Sequence, residues 1–115
     1  MASNGQVYPT FPNAVYWTNE VHYKWAYDAN PREAASFLKE NFVPLREMGL
    51  LQNIDVQNGI QFSPNITLDF VYGHTEAMMI PTIKMPSNQE LIYCADLCPS
   101  HCHAQLIWHW TLCLF

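Results

Sequence analysis

The chain has few basic residues, few glycines and no long apolar run. Five Lys and Arg face ten Asp and Glu, so the net charge is −5 at pH 7. Because phosphate binding needs a basic surface, this shortage argues against a nucleic-acid partner. No apolar stretch approaches the ~20 residues that span a bilayer, and the N-terminal residues lack the charged and apolar regions of a secretory signal. We therefore expect no nucleic acid, no membrane and a cytoplasmic location.

The residues that are present favour a packed core. Half of the 115 residues are hydrophobic and only 13% are charged. This balance is typical of a globular segment rather than a disordered one, and the length fits one domain over residues 1–115. The periodicity predicts a strand, two helices and then five strands, which is an α+β order.

The first half of this order contains the helices. Thr18 is predicted to cap a helix of about residues 19–27. A second helix is predicted to start at Asn30, with Pro31 in its first position and Glu33 reaching back to the cap. Pro44 removes a backbone donor, so we expect a kink or break near residues 40–41. The apolar residues that recur at helical spacing are predicted to pack on a sheet: Leu38, Phe42, Leu45 and Met48.

Alternating apolar residues begin after Gly49. Asn58–Gly59 predicts a hairpin between strands over residues 51–57 and 60–63. A half-buried strand from Ile66 leads to Gly73-His74-Thr75, and a second one follows from Glu76. Pro81 places that second strand at an edge or a bulge. After a turn at residues 86–88, an apolar strand covered on both faces is predicted to end on Asp96.

His74 and Asp96 therefore close neighbouring strands of the predicted sheet. Strand ends that share a rim bring their side chains together. An imidazole and a carboxylate that converge suit a hard or borderline divalent metal. The sequence predicts that these two side chains lie close together and bind metal.

The stretch FVYGHTEAMMIPTIKMPSNQELIYCAD, residues 70–96, resembles the second half of the metallo-β-lactamase fold, and the resemblance spans roughly residues 10–103. It implies part of a four-layer αββα sandwich with a mixed, mainly antiparallel sheet and two helices. It also implies that His74 is a terminal metal ligand, that Asp96 is a catalytic residue bridging two metals, and that His103 lines the site. The implied cofactor is one or two Zn²⁺ ions, and the implied reaction is hydrolysis of a small-molecule ester, lactone, thioester or phosphoester.

The chain departs from this family at several points. It holds no His-x-His-x-Asp-His motif, Glu76-Ala77-Met78 replace the Pro-Gly-His that many members carry, and residues 104–115 form an atypical tail. We therefore expect an internal piece of a metallo-hydrolase that is inactive alone. Half of a sandwich would expose an apolar sheet face, so self-association through that face is expected as well.

Two other hypotheses remain open. Cys94, Cys98 and Cys102 are spaced at every fourth residue, with His101 and His103 interleaved, which would suit a small zinc-binding module over residues 94–103. The usual structural zinc pattern has two separated ligand pairs, and this cluster is a single group. The alternative is a catalytically inactive fragment with a folding or interaction role.

Overall fold

The computed structural model of the chain describes residues 2–3 and 6–98. The chain divides into two compact units on either side of the Asp55–Val56 bond. Two helices and several short sheets make the fold class α+β, as the sequence predicts. Near the N-terminus, β1 (Ala2–Ser3) pairs antiparallel with β2 (Gln6–Val7).

In the first unit, two helices lie in sequence between two strands that pair in parallel. Strand β3 (Tyr16–Thr18) leads into helix α1 (Glu20–Tyr27), and helix α2 (Lys39–Glu47) leads into strand β4 (Leu51–Asn53). Strands β3 and β4 pair in parallel, with Tyr16 opposite Leu51. The crossover through both helices supplies the long connection that parallel strands require.

Helix α1 is capped by Asn19 and not by Thr18, so the predicted cap was wrong by one residue. Asn19 is extended and fully buried, and its side-chain oxygen accepts a hydrogen bond of 2.8 Å from the His22 amide. A side-chain oxygen in this position pairs one of the backbone donors that the first helical turn leaves free.

The predicted helix start at Asn30 forms only an isolated turn. Asn30 Oδ1 accepts from the amides of Arg32 and Glu33 at 3.0 Å each, and Asn30 Nδ2 donates to Glu33 Oε2 at 3.1 Å. The chain then turns through residues 31–36, and α2 starts only at Lys39. Residues 34–36 are exposed, so no tertiary packing extends the capped turn into a helix.

The apolar stripe on α2 is less buried than predicted. Leu38 lies before the helix in extended conformation with 45% of its surface exposed, and Met48 is exposed as well. Phe42 and Leu45 are half-buried. The predicted packing of the whole stripe is therefore wrong for its two ends. The expected break near residues 40–41 lies two residues earlier, at Leu38, and Pro44 remains inside α2.

The second unit is a four-stranded antiparallel sheet in the order β5-β6-β7-β8. Its strands are β5 (Ile60–Ser63), β6 (Ile66–Val71), β7 (Met78–Lys84) and β8 (Glu90–Ile92). Alternate residues of the two central strands point into the core, as the period of two predicts. The buried apolar residues of this unit are Leu68, Phe70, Ala77, Met78 and Ile80.

Asn58–Gly59 makes a turn but not the predicted hairpin. Strand β4 pairs with β3, and β5 pairs with β6 instead. Asn58 Oδ1 accepts from the Phe70 amide and the Gly59 amide donates to Asp69 Oδ1, both at 2.8 Å. These bonds fasten the turn to β6, so it starts the second sheet rather than joining its two flanking segments.

The positions of strand β8 and of Pro81 in the sheet both differ from the prediction. The strand that was expected to be covered on both faces is a sheet edge whose three residues are exposed. Pro81 lies in the inner strand β7, where its carbonyl accepts from the Tyr93 amide at 3.0 Å. Proline cannot return a hydrogen bond to Tyr93, so the ladder between β7 and β8 ends at the Thr82–Ile92 pair.

Candidate functional site

His74 lies in the connection between β6 and β7. Strand β6 ends at Val71, and Gly73 then takes a φ of 131°, in a region that favours glycine. Thr75 and Ala77, which follow His74 in the chain, are buried, so the backbone after His74 is packed. The His74 side chain is 53% exposed. This connection therefore presents an imidazole to solvent on an anchored backbone.

Asp96 lies in a one-turn 3-10 helix, Ala95–Leu97, and not at a strand end as predicted. Strand β8 stops at Ile92 because its ladder with β7 ends there. Ala95 then adopts a positive φ of 44°, and the Leu97 amide bonds the Cys94 carbonyl at 3.0 Å. The Asp96 side chain is 71% exposed.

The structure brings these two side chains together. His74 Nε2 lies 3.6 Å from Asp96 Oδ2. Two ligands bonded to one tetrahedral ion at about 2.1 Å lie roughly 3.4 Å apart. The observed separation is close to that value, and it exceeds the 2.7–3.2 Å typical of a direct N–H···O hydrogen bond. The two donors therefore fit as neighbouring ligands of one divalent ion.

The pair does not complete a metal site among residues 2–3 and 6–98. No third His, Cys, Asp or Glu in this part of the chain joins His74 and Asp96 within reach of one ion. His103, the third predicted site residue, lies outside the described residues, as do His101, Cys102 and Cys113. A catalytic zinc site uses three protein ligands and an open position. The described residues bring together two potential donors, His74 and Asp96.

A shallow depression lies beside Asp96. Its volume is about 470 Å³, and its lining includes Tyr93, Cys94, Asp96 and Cys98. Both cysteines are half-buried and neither forms a disulfide. Sequence spacing had grouped these thiols with the more distant His and Cys residues, and the structure adds that they share one depression with the Asp96 carboxylate.

A second polar cluster lies in the first unit, and no pattern in the sequence predicts it. Glu20 Oε2 accepts from Arg46 Nη2 and from Asn53 Nδ2 at 2.9 Å each, and Glu20 Oε1 lies 3.8 Å from Lys24 Nζ. The hydrogen bond from Arg46 is the main reason that the pKa of Glu20 is lowered, and the same bond raises the pKa of Arg46. Arg46 also stacks 4.1 Å from the Tyr23 ring centre. Arg46 and Asn53 lie 26 and 33 residues from Glu20 in the sequence, so these two partners leave no local sequence signal.

His22 takes part in packing rather than in a cluster of metal donors. Its ring meets that of Phe37 edge to face, with 6.1 Å between ring centres. A lone imidazole against an aromatic ring is a common packing arrangement, and within the described residues no group of three metal donors includes it.

Comparison of the chain with protein-family models, with curated proteins and with solved structures finds no match. In the described part of the chain, neither helix combines the length and the apolar character that a membrane crossing requires.

Proposed function

We propose that this chain carries part of the metal site of a metal-dependent hydrolase of the metallo-β-lactamase superfamily, with His74 and Asp96 as metal ligands. The main support is the 3.6 Å approach of His74 Nε2 to Asp96 Oδ2, which matches the spacing of two ligands on one ion. The residues that carry the family resemblance, Gly73-His74-Thr75 and Ala95-Asp96, are those that form this approach. The proposed fold is one part of a four-layer αββα sandwich.

The proposed roles follow from the donor chemistry of the two groups. His74 would donate the Nε2 lone pair as a neutral imidazole, which requires that its proton sit on Nδ1. Asp96 would contribute a carboxylate whose two oxygens can reach two ions. A bound divalent ion, Zn²⁺ in the first instance, would polarise the scissile bond and lower the pKa of a bound water. The exposure of both side chains leaves room for water and substrate.

The proposed substrates are the classes that the family resemblance implies. We propose a small-molecule ester, lactone, thioester or phosphoester, and a cytoplasmic location. His103 is the proposed third residue of the site.

Strand β8 exposes Leu91, Ile92 and the neighbouring Tyr93, and we propose that copies of the chain associate through this part of the sheet.

A second candidate is a small zinc-binding module over residues 94–103. The observation that favours it is that Cys94 and Cys98 line one depression with Asp96. Thiolates bind zinc more strongly than carboxylates at neutral pH, so this module would hold its ion through sulfur. His74 would not be one of its ligands.

Metal titration separates the two candidates. Cobalt would be titrated into the unmodified chain, His74→Ala, Asp96→Asn and Cys98→Ser, with calorimetry for affinity and absorption for ligand type. The hydrolase proposal predicts that His74→Ala and Asp96→Asn each weaken binding at least tenfold, and that Cys98→Ser changes it less than twofold. Asp55→Asn, an exposed carboxylate in the other unit, serves as the matched control and should bind like the unmodified chain.

The zinc-module candidate predicts the opposite pattern. Binding would then show a thiolate-to-cobalt charge-transfer band, would be lost in Cys98→Ser, and would persist in His74→Ala. Unchanged cobalt affinity in both His74→Ala and Asp96→Asn would refute the hydrolase proposal.

A further inference from the structure

An aromatic pocket lies within the first unit. It has a volume of about 240 Å³ and forms between the segment that follows β2 and the side of α2 that carries Glu40, Pro44 and Leu45. The residues that give it its chemical character are Tyr8, Phe11, Tyr16, Glu40, Pro44 and Leu45. Drug-sized ligands occupy pockets of roughly 300–1,000 Å³, so this one suits a smaller group.

The pocket keeps large aromatic surface in contact with solvent. Tyr8 is 51% exposed and Phe11 is 65% exposed, although both could gain free energy by burial. The hydroxyl of Tyr16 accepts from the Phe11 amide at 3.0 Å, and the Ala14 amide bonds the Phe11 carbonyl at 3.1 Å. These bonds hold the backbone at Phe11 beside the Tyr16 ring, so the aromatic groups are positioned before any ligand arrives.

Glu40 adds an uncompensated negative charge to the pocket. Among the described residues it makes no ion pair and no side-chain hydrogen bond. The two nearest cations in sequence on α2 are engaged elsewhere: Lys39 Nζ lies 3.9 Å from the Tyr27 ring centre, and Arg46 bonds Glu20 at 2.9 Å. The carboxylate therefore remains available to a cation that comes from outside the chain.

We propose that this pocket binds a small organic cation, with a quaternary ammonium group against the rings of Tyr8, Phe11 and Tyr16 and with Glu40 as its counter-ion. Aromatic faces attract such cations through the negative face of the ring, and a carboxylate adds direct attraction. A neutral apolar group would gain from the rings but not from Glu40. An anion would be repelled by Glu40 and by the net charge of −5.

The test uses choline and its neutral isostere, in which a tert-butyl group replaces the trimethylammonium. Both are titrated into the full 115-residue chain, with binding followed through the tyrosine ring signals in NMR spectra. Choline is expected to bind about tenfold more tightly than the isostere, because the two differ only in charge. Raising the salt concentration should narrow this difference, since Glu40 is exposed.

Three variants locate the site. Glu40→Gln keeps the shape of the side chain and should bring choline binding within about twofold of isostere binding. Phe11→Leu should weaken choline binding severalfold. Glu47→Gln removes an exposed carboxylate of the same helix that does not line the pocket, and should bind choline like the unmodified chain. Circular dichroism checks that each variant keeps its helices.

Equal affinity for choline and the isostere would overturn the proposal, because the charge would then contribute nothing. Choline binding that Glu40→Gln and Phe11→Leu leave unchanged would also overturn it, since the cation would then sit elsewhere. Absence of saturable choline binding in the folded chain would have the same consequence.

Discussion

At Gly73 the backbone turns through a φ of 131°, and the next residue is His74. Ala95, which precedes Asp96, takes a positive φ of 44°, and Ala77, the residue before β7, takes 49°. Non-glycine residues adopt such angles at a cost of order 1–3 kcal/mol each. Each of the two connections that carry the proposed ligands thus contains one such residue among those that the structure describes, and a third, Asn88 with a φ of 61°, lies in the turn between β7 and β8.

Asn19 offers a prediction at the same scale. Asn19→Ala removes the fully buried side-chain oxygen that accepts from the His22 amide, so this part-buried amide loses its partner. We expect the free energy of unfolding to fall by roughly 1–2 kcal/mol, as for other N-cap substitutions. Denaturant titration followed by far-ultraviolet circular dichroism measures the change.

Asn30→Ala is the matched control for this substitution. Asn30 also accepts from two amides, but it is exposed and no helix follows it. Its loss should cost under about 0.5 kcal/mol, because water can replace the lost bonds. Equal losses of unfolding free energy in Asn19→Ala and Asn30→Ala would show that the burial of Asn19 does not make its hydrogen bond more stabilising.

At the scale of elements, the contrast between α2 and β6 predicts unequal roles for two leucines. Leu68 lies in β6 with 6% of its surface exposed, so Leu68→Ala should cost roughly 2–5 kcal/mol. Leu38, before α2, is 45% exposed, so Leu38→Ala should cost under about 0.5 kcal/mol. Equilibrium unfolding of both variants measures the difference. A Leu38→Ala cost near that of Leu68→Ala would contradict the structure at α2.

Glu20 links α1 to both α2 and β4, and this link should depend on pH. Its hydrogen bond from Arg46 lowers its pKa below the ordinary value of 4.5. The stabilisation is therefore fully present above pH 4.5 and is lost as the pH falls through the lower pKa of the folded state. The stability difference between the unmodified chain and Glu20→Gln should shrink over that acidic range.

Unfolding midpoints measured from pH 7 down to acid give this difference directly. A difference for Glu20→Gln that stays constant with pH would mean that the Glu20–Arg46 bond is not formed in solution.

Element boundaries were less predictable from sequence than element order. Asn30, Pro31 and Glu33 form the local bonds that their pattern predicts, yet the helix does not follow because residues 34–36 bury nothing. Asn58–Gly59 forms its turn, but its hydrogen bonds to β6 decide which strands pair. In both cases the local hydrogen bonds or turn form as predicted, and packing with distant residues determines which helix or strand follows.

For the whole molecule, the order of strand, two helices and five strands was predictable from β3 onward because hydrophobic periodicity is a local property, whereas the short strands β1 and β2 were not predicted. The proximity of His74 and Asp96 was predictable too, because antiparallel pairing of β6, β7 and β8 brings the connections after β6 and β8 to one end of the sheet. Three features were not predictable, because each joins residues that are far apart in sequence: the parallel pair β3–β4, the Glu20 cluster and the aromatic pocket.

The 115-residue chain is expected to show no hydrolase turnover by itself. Two ligands hold zinc weakly, and a loosely held ion activates its bound water poorly. Assays with lactone, thioester and phosphoester substrates, in the presence of zinc or manganese, test this expectation. Metal-dependent turnover that His74→Ala abolishes would contradict this expectation, because the missing motifs would then be dispensable.

The most direct test of the proposed metal site is the response of the His74 imidazole to zinc. Proton–nitrogen NMR spectra of the histidine side chains would be recorded during a zinc titration, with His74→Ala used to assign the signals. We predict that Nε2 of His74 shifts to the position of a metal-bound nitrogen, and that Asp96→Asn weakens this response at least tenfold. A His74 ring whose nitrogens do not respond while the chain takes up zinc would contradict the account.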